Sequence, residues 1–152
     1  MAFRREVLER VGGFVEGIGR IGRLPFGCEE TEVSIRASAA TGGTIMHIPD
    51  AAVEHRVSAD RATWRYYMRR CWSEGVSKAL VSRSVGSGPA LASERDYVFR
   101  ALPSGVWREL TRACRGEPAG LARLCAICAG LLITIAGYLF GRVGLSARKG
   151  RR

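Results

Sequence analysis

Seventeen consecutive residues, Leu124–Phe140, carry no charge and are bracketed by Arg123 and Arg142. No other stretch constrains the chain as strongly, because a continuous apolar run of this length is what a bilayer crossing requires. At about 1.5 Å per residue the run falls slightly short of a hydrocarbon core roughly 30 Å thick. Leu121, Ala122 and snorkelling of the flanking arginines make up the difference. Residues 119–145 therefore read as a membrane helix, with a re-entrant or interfacial helix as the alternative. Arg148, Lys149, Arg151 and Arg152 form a basic tail over 146–152 that favours a cytoplasmic end. Arg112, Arg115 and Arg123 argue for the same side at the other end, so the orientation stays open.

The rest of the chain has the composition of a folded protein. Its 152 residues suffice for one domain with a sizeable core, and 47% hydrophobic and 25% charged residues argue against wholesale disorder. The excess of 24 Lys and Arg over 14 Asp and Glu gives a formal net charge of +10, which attracts nucleic acid, a phosphorylated ligand or anionic lipid alike. Dispersed positive charge without a nucleic-acid motif makes nucleic acid the weakest of these partners. The five cysteines lack the paired spacing of a disulfide framework or a zinc site, so a reduced, cytosolic setting is expected. Cys125-Ala126-Ile127-Cys128 spells C-x-x-C inside an apolar run, where small helix residues are the simpler reading. Charge throughout residues 1–15 is expected to rule out a signal peptide there.

Against that positive background, Gly27-Cys28-Glu29-Glu30-Thr31-Glu32-Val33-Ser34-Ile35-Arg36 concentrates three carboxylates within four residues. At the start of a helix Glu29, Glu30 and Glu32 would face the unpaired N–H groups of the first turn, worth roughly 0.3–1 kcal/mol each. Glu32 and Arg36 form an i,i+4 pair in the favourable order. These terms account for a helix start without any function. The functional alternative is a carboxylate projecting from the helix mouth as a general base, or as a ligand for a hydroxyl or a metal.

Around this cluster the punctuation is clear. A short helix over Arg4–Val11 ends at Gly12-Gly13, and Val15–Gly27, with Gly17, Gly19, Gly22 and Pro25, reads as a loop matching neither a dinucleotide nor a P-loop pattern. The helix from Glu29 to about Ala40 stops at Thr41-Gly42-Gly43. Thr44–Ile48 and Ala52–Val57 read as short strands separated by Pro49-Asp50, with Val53, His55 and Val57 on one face. After Ser58 the chain becomes helical: Trp64, Tyr67, Met68, Cys71, Trp72, Val76, Ala79 and Leu80 recur at helical spacing, with Arg61, Arg65 and Arg69 along the flank. This is either a packed amphipathic helix with solvated arginines, or a basic aromatic helix at a membrane surface or lining a site for a phosphorylated acceptor. Gly86-Ser87-Gly88-Pro89 is a break, and Leu91–Leu102 and Val106–Ala113 look like further short helices, punctuated by Pro103 and Gly116–Pro118.

The opening run Met1–Phe14, the glycine-rich loop, the Glu-Glu-x-Glu helix and then His55 strongly resemble the C-terminal part of the catalytic domain in family 2 glycosyltransferases, over about residues 1–85. The resemblance implies an α/β fold: the C-terminal half of a GT-A nucleotide-sugar transferase domain, mostly helical, with short strands and a C-terminal apolar helix. Residues 1–57 would be its acceptor-side part and 58–118 a helical extension. It implies inverting transfer of a sugar from a nucleotide-sugar donor to an acceptor, lipid-linked or polysaccharide, with Glu30 or else Glu29 as the base. Glu32, Arg70 and Trp72 would bind substrate, and His55 would join a divalent metal, Mn²⁺ or Mg²⁺, on strand geometry similar to the family's. Relatives of that type often read Gly-Gly-Phe-Asp-Glu, whereas Val15 stands here in place of the Asp; Glu30 likewise replaces a usual Asp and reaches about one methylene further. No D-x-D sequence occurs in the chain. The metal-binding carboxylates and the nucleotide-binding half are therefore expected upstream of Met1, and the chain is expected to be inactive alone. Its expected location is the cell membrane, with the catalytic part cytoplasmic. A non-catalytic, membrane-associated interaction protein is the alternative.

Overall fold

A computed structural model describes residues 1–20, 25–91, 95 and 97–149. Helix α1 (Arg5–Val11) leads through the loop to α2 (Glu29–Thr41), and a 3₁₀ turn (Ala59–Ala62) precedes the long α3 (Trp64–Val85). A single turn, α4 (Ser87–Ala90), and a π-helical turn (Tyr97–Ala101) lead into α5 (Leu102–Cys114), and α6 (Pro118–Lys149) completes the chain. Among the described residues there is no strand, so the molecule is all-α. The α/β expectation, with its GT-A half-domain, is thereby corrected.

The correction has a physical cause. Thr44–Ile48 and Ala52–Val57 alternate as strands do, yet a strand is stable only as one side of a hydrogen-bonded ladder, and the described chain offers neither a partner strand nor a sheet edge. Both segments are irregular and exposed, with Met46 at 79% and Val53 at 88% accessibility. The face shared by Val53, His55 and Val57 accordingly buries nothing.

Helix ends follow local chemistry. Gly12 and Gly42 adopt left-handed φ of 73° and 66°, as C-caps in that conformation require, and the Gly42 N–H donates to the Ser38 carbonyl. Thr63 caps α3, its hydroxyl accepting from the Tyr66 N–H at 3.3 Å. Pro103 lies in the first turn of α5, where its missing N–H removes no helical bond, instead of ending a helix. The loop expected at Val15–Gly27 includes residues 21–24, and the helix expected at Leu91–Leu102 includes 92–94 and 96; these lie outside the described residues, as do 150–152 of the basic tail.

The core is built from small side chains. Val33, Ala37, Ala79, Val81 and Ala90 are buried together with Ser73, Ser77 and Ser82. Helices α3 and α6 run parallel: the Tyr67 hydroxyl donates to the Ala126 carbonyl at 2.8 Å, Gly75 lies against Thr134 and Tyr138, and Gly141 lies against Ala79. Gly75 and Gly137 meet the facing backbone directly and Gly141 meets the Ala79 methyl group, so an added Cβ at any of the three would strike the facing helix. Helix α5 returns antiparallel along the first part of α6, with Gly105 near Ile127 and Glu109 and Ala113 against Gly120. Among the described residues one helix, over Pro118–Gly144, is long and apolar enough to cross a membrane by length and composition.

Candidate functional site

The acid cluster opens α2, and of its three acids Glu32 faces α3. Arg70 of α3 donates from Nη1 to the Pro25 carbonyl at 2.7 Å, and the Gly27 N–H donates to Ser77 Oγ at 3.1 Å, so the loop before α2 is fastened to α3 at two points. Cys28 at the N-cap has φ of 71°, the only left-handed non-glycine residue among those described. Its thiol donates to Glu74 Oε1 at 3.3 Å. Burial and then the Glu74 charge push that thiol up to about 12, so Cys28 is a hydrogen-bond donor and not a nucleophile at neutral pH. Glu74 is held in turn by Arg70 at 2.9 Å and Lys78 at 3.3 Å.

The three carboxylates of the first turn have different surroundings. Glu32 is 1% exposed and fully engaged: Arg36 pairs with it through Nε at 2.7 Å and Nη2 at 2.8 Å, and the Ser84 hydroxyl donates to it at 2.5 Å. Burial alone would raise its pKa, but the hydrogen bonds from Arg36 and Ser84 and the charge of Arg36 more than offset this, and the carboxyl titrates below its ordinary range. Arg36 also donates to the carbonyls of Val11 and Gly13, which ties the end of α1 to α2. Glu29 is half-buried, with its Oε2 enclosed and without a hydrogen-bond partner, against Gly19. A Cβ on Gly19 would stand 3.1 Å from the Glu29 carboxyl carbon, so the glycine leaves room for that side chain. Glu30 is exposed and makes no ion pair or hydrogen bond among the described residues.

Glu29, Glu30 and Glu32 thus share the first turn of α2, but the Glu32 carboxylate meets Ser84 near the end of α3, whereas Arg70, fourteen residues earlier on that helix, meets Pro25 and Gly27 in the loop before α2. Trp72 lies elsewhere, on the α6 side of α3, its ring 5.4 Å from that of Phe140. His55 is exposed in the irregular segment. Among the described residues no group of three His, Cys, Asp or Glu side chains converges on a point, so His55 offers one imidazole without companions. The described residues do not fit a divalent-metal centre. A depression of about 350 Å³ lies at the start of α3, lined by Arg61, Thr63, Trp64, Tyr67 and Ala126, with Trp64 and Tyr67 stacked at 5.2 Å.

Comparison with protein-family profiles, curated proteins and solved structures finds no match to this chain. Its site rests on its own residues. Sequence reasoning missed Glu74, although the spacing Arg70–Glu74–Lys78 is a legible double i,i+4 pattern. It also missed Ser77 and Ser84, which no local signal distinguishes from other small residues of a packed helix face. Glu109 was a third omission: this carboxylate is 2% exposed, pairs with Arg108, Arg112 and Arg123, and titrates below its ordinary range chiefly through the Arg108 hydrogen bond.

Proposed function

We propose that this chain serves glycosyl transfer from a nucleotide-sugar donor, as a membrane-attached, acceptor-side component whose Glu30 removes the proton of the acceptor hydroxyl. The observation that carries the reading is the division of labour at the mouth of α2. Glu32 is committed to Arg36 and Ser84, Glu29 is half-buried, and Glu30 alone presents an exposed carboxylate from the first turn. A base has to reach its substrate, and among the three acids Glu30 is the one that can. Glu29, with its enclosed and unpartnered oxygen, is the second choice.

The reading rests on this acid mouth and on the resemblance of residues 1–85, and not on an α/β architecture, which the described residues lack. The Arg70 guanidinium beside Gly27 supplies positive charge near the mouth, suited to a phosphorylated acceptor, although its pairing with Glu74 offsets part of that charge. A donor-binding half would come from outside the chain, together with the ligands of any metal. The acceptor would be lipid-linked or a polysaccharide, and the acid mouth would face the cytoplasm. The experiment is transfer of radiolabelled sugar by membranes that contain the chain with such a donor-binding half. Glu30→Gln should lower transfer by about 10²–10⁴, the usual contribution of general-base catalysis.

A second reading, a non-catalytic membrane-associated interaction protein, is favoured by the exposed apolar side chains of Ile45, Met46, Ile48, Val53 and Val57. They form a segment with strand-like alternation and no partner strand among the described residues. Unchanged transfer by Glu30→Gln, with loss of a co-purifying partner on Val53→Asp, would select it.

A further inference from the structure

We infer that α6 lies along the membrane surface instead of crossing the bilayer, and that α5 and α6 present one continuous lipid-facing plane with α3 on its aqueous side. The inference rests on the membrane attachment proposed above and specifies its geometry.

Helix α6 has two unlike faces. Gly130, Gly137 and Gly141 abut α3. On the opposite side Leu121, Leu132, Ile135, Leu139 and Val143 are exposed, and their spacing of three, four and seven or more residues keeps them on one stripe. A spanning α6 would immerse that stripe in lipid, but it would immerse α3 as well. The two helices are parallel and in backbone contact, and Gly75 of α3 meets Thr134 and Tyr138, within the second half of the uncharged run Leu124–Phe140.

The neighbours of Gly75 decide the matter. Arg70, Glu74 and Lys78 form an ion-pair ladder at this level, and each is strongly disfavoured in a hydrocarbon core. The irregular loop at Pro25–Cys28 is bonded to Arg70, Glu74 and Ser77, so it would be carried to the same depth, where loop backbone has no water to satisfy it. With α6 lying in the plane, the stripe enters the acyl boundary while α3, the loop and α2 remain in water.

Helix α5 extends the plane. It packs on α6 through Gly105, Glu109 and Ala113, and right-handed geometry in an antiparallel neighbour turns Trp107 and Leu110 to the side of the α6 stripe, with Arg108 and Arg112 turned toward the α3 side. Trp107 is 67% exposed. An apolar plane on a chain of formal net charge +10 matches a bilayer that carries anionic headgroups.

Sealed vesicles from cells producing the full chain provide the test. Cys114, Cys125 and Cys128 are replaced by Ala, and Glu117→Cys or Gly144→Cys is added at either end of the apolar segment, with the chain lacking both as the blank. A membrane-impermeant maleimide should treat the two positions alike, labelling both or protecting both. Labelling of one with protection of the other until detergent is added would overturn the in-plane geometry and leave membrane attachment standing. Flotation of the otherwise unaltered chain with liposomes of phosphatidylcholine and phosphatidylglycerol tests attachment itself. There Leu110→Lys should lower the partition coefficient, read from the bound fraction over a series of lipid concentrations, about tenfold, a loss equivalent to exposing one leucine-sized contact. An unchanged bound fraction would remove α5 from the plane, and a wild-type chain that stays at the bottom of the gradient, or sediments as a soluble dimer, would overturn membrane attachment together with the inference.

Discussion

Arg36 and Glu32, one helical turn apart, form a two-point ion pair in which Nε and Nη2 reach the two carboxylate oxygens at 2.7 and 2.8 Å while the carboxylate is 1% exposed. The same guanidinium holds the carbonyl of Val11, the last residue of α1, and that of Gly13 just beyond it, and the same carboxylate receives the Ser84 hydroxyl of α3. Three helices therefore meet at one pair. Replacing a single partner of such a buried pair leaves the other charge uncompensated, which typically costs about 3–5 kcal/mol. Arg36→Met should lower the thermal stability of the chain by an amount near the lower end of that range, because the Arg36 side chain is 23% exposed. Ser84→Ala, which removes one neutral donor, should cost about 1 kcal/mol.

The pH dependence of stability follows from the same carboxylate. Its folded pKa is depressed below the ordinary 4.5, so the unfolded state binds the proton more readily. The stabilisation is fully present above the unfolded value and is lost as the pH falls through the folded one. Thermal melts between neutrality and acid should show the wild type losing stability below about pH 4.5, with a much flatter acid limb in Glu32→Gln.

Cys28 should be the slow thiol of the molecule. Burial and the adjacent Glu74 carboxylate hold it up to about 12, whereas Cys114, Cys125 and Cys128 are exposed. At neutral pH in detergent, which covers the α6 stripe that carries Cys125 and Cys128, iodoacetamide should modify Cys114 first and Cys28 only on unfolding. Glu74→Gln removes the second largest cause of the shift and should quicken modification of Cys28 while the chain remains folded.

The contact between α3 and α6 should tolerate no side chain at its closest points. Gly137→Ala would drive a Cβ into the Trp72 carbonyl and should cost about 1–3 kcal/mol or more, since backbone cannot move aside as a flexible side chain can. Gly144→Ala, with nothing within 4 Å, should instead stabilise α6 by about 0.5–1 kcal/mol. Thermal melts of the two variants, compared side by side, check the sign of each.

Features that depend on neighbours in the chain were legible, and those that depend on distant partners were not. Gly12 and Gly42 end their helices because a left-handed residue is needed there, and glycine announces it. The Glu32–Arg36 pair was visible in its spacing, but its burial and its hold on Val11, Gly13 and Ser84 were not. Alternation at Thr44–Ile48 and Ala52–Val57 suggested strands because period two describes a face, whereas a strand also needs an edge to join. Pro103 reads as punctuation in the sequence, yet the first turn of a helix accepts proline. The parallel run of α3 beside α6 left its trace in Gly130, Gly137 and Gly141, yet glycine inside an apolar run does not say which helix approaches it.

The assignment of Glu30 is the centre of the account, and one comparison tests it most directly. Membranes holding the chain with a donor-binding half are assayed for single-turnover sugar transfer with Glu30→Gln and with Glu29→Gln, and donor binding is measured in parallel. Glutamine preserves size and can accept a hydrogen bond but cannot take up the proton. The account predicts that Glu30→Gln loses about 10²–10⁴ in transfer with donor affinity nearly unchanged, while Glu29→Gln loses far less. Equal and small losses in both variants would contradict it and make the acid cluster a helix terminus alone; a large loss at Glu29 with Glu30 unaffected would contradict the assignment and move the base by one residue.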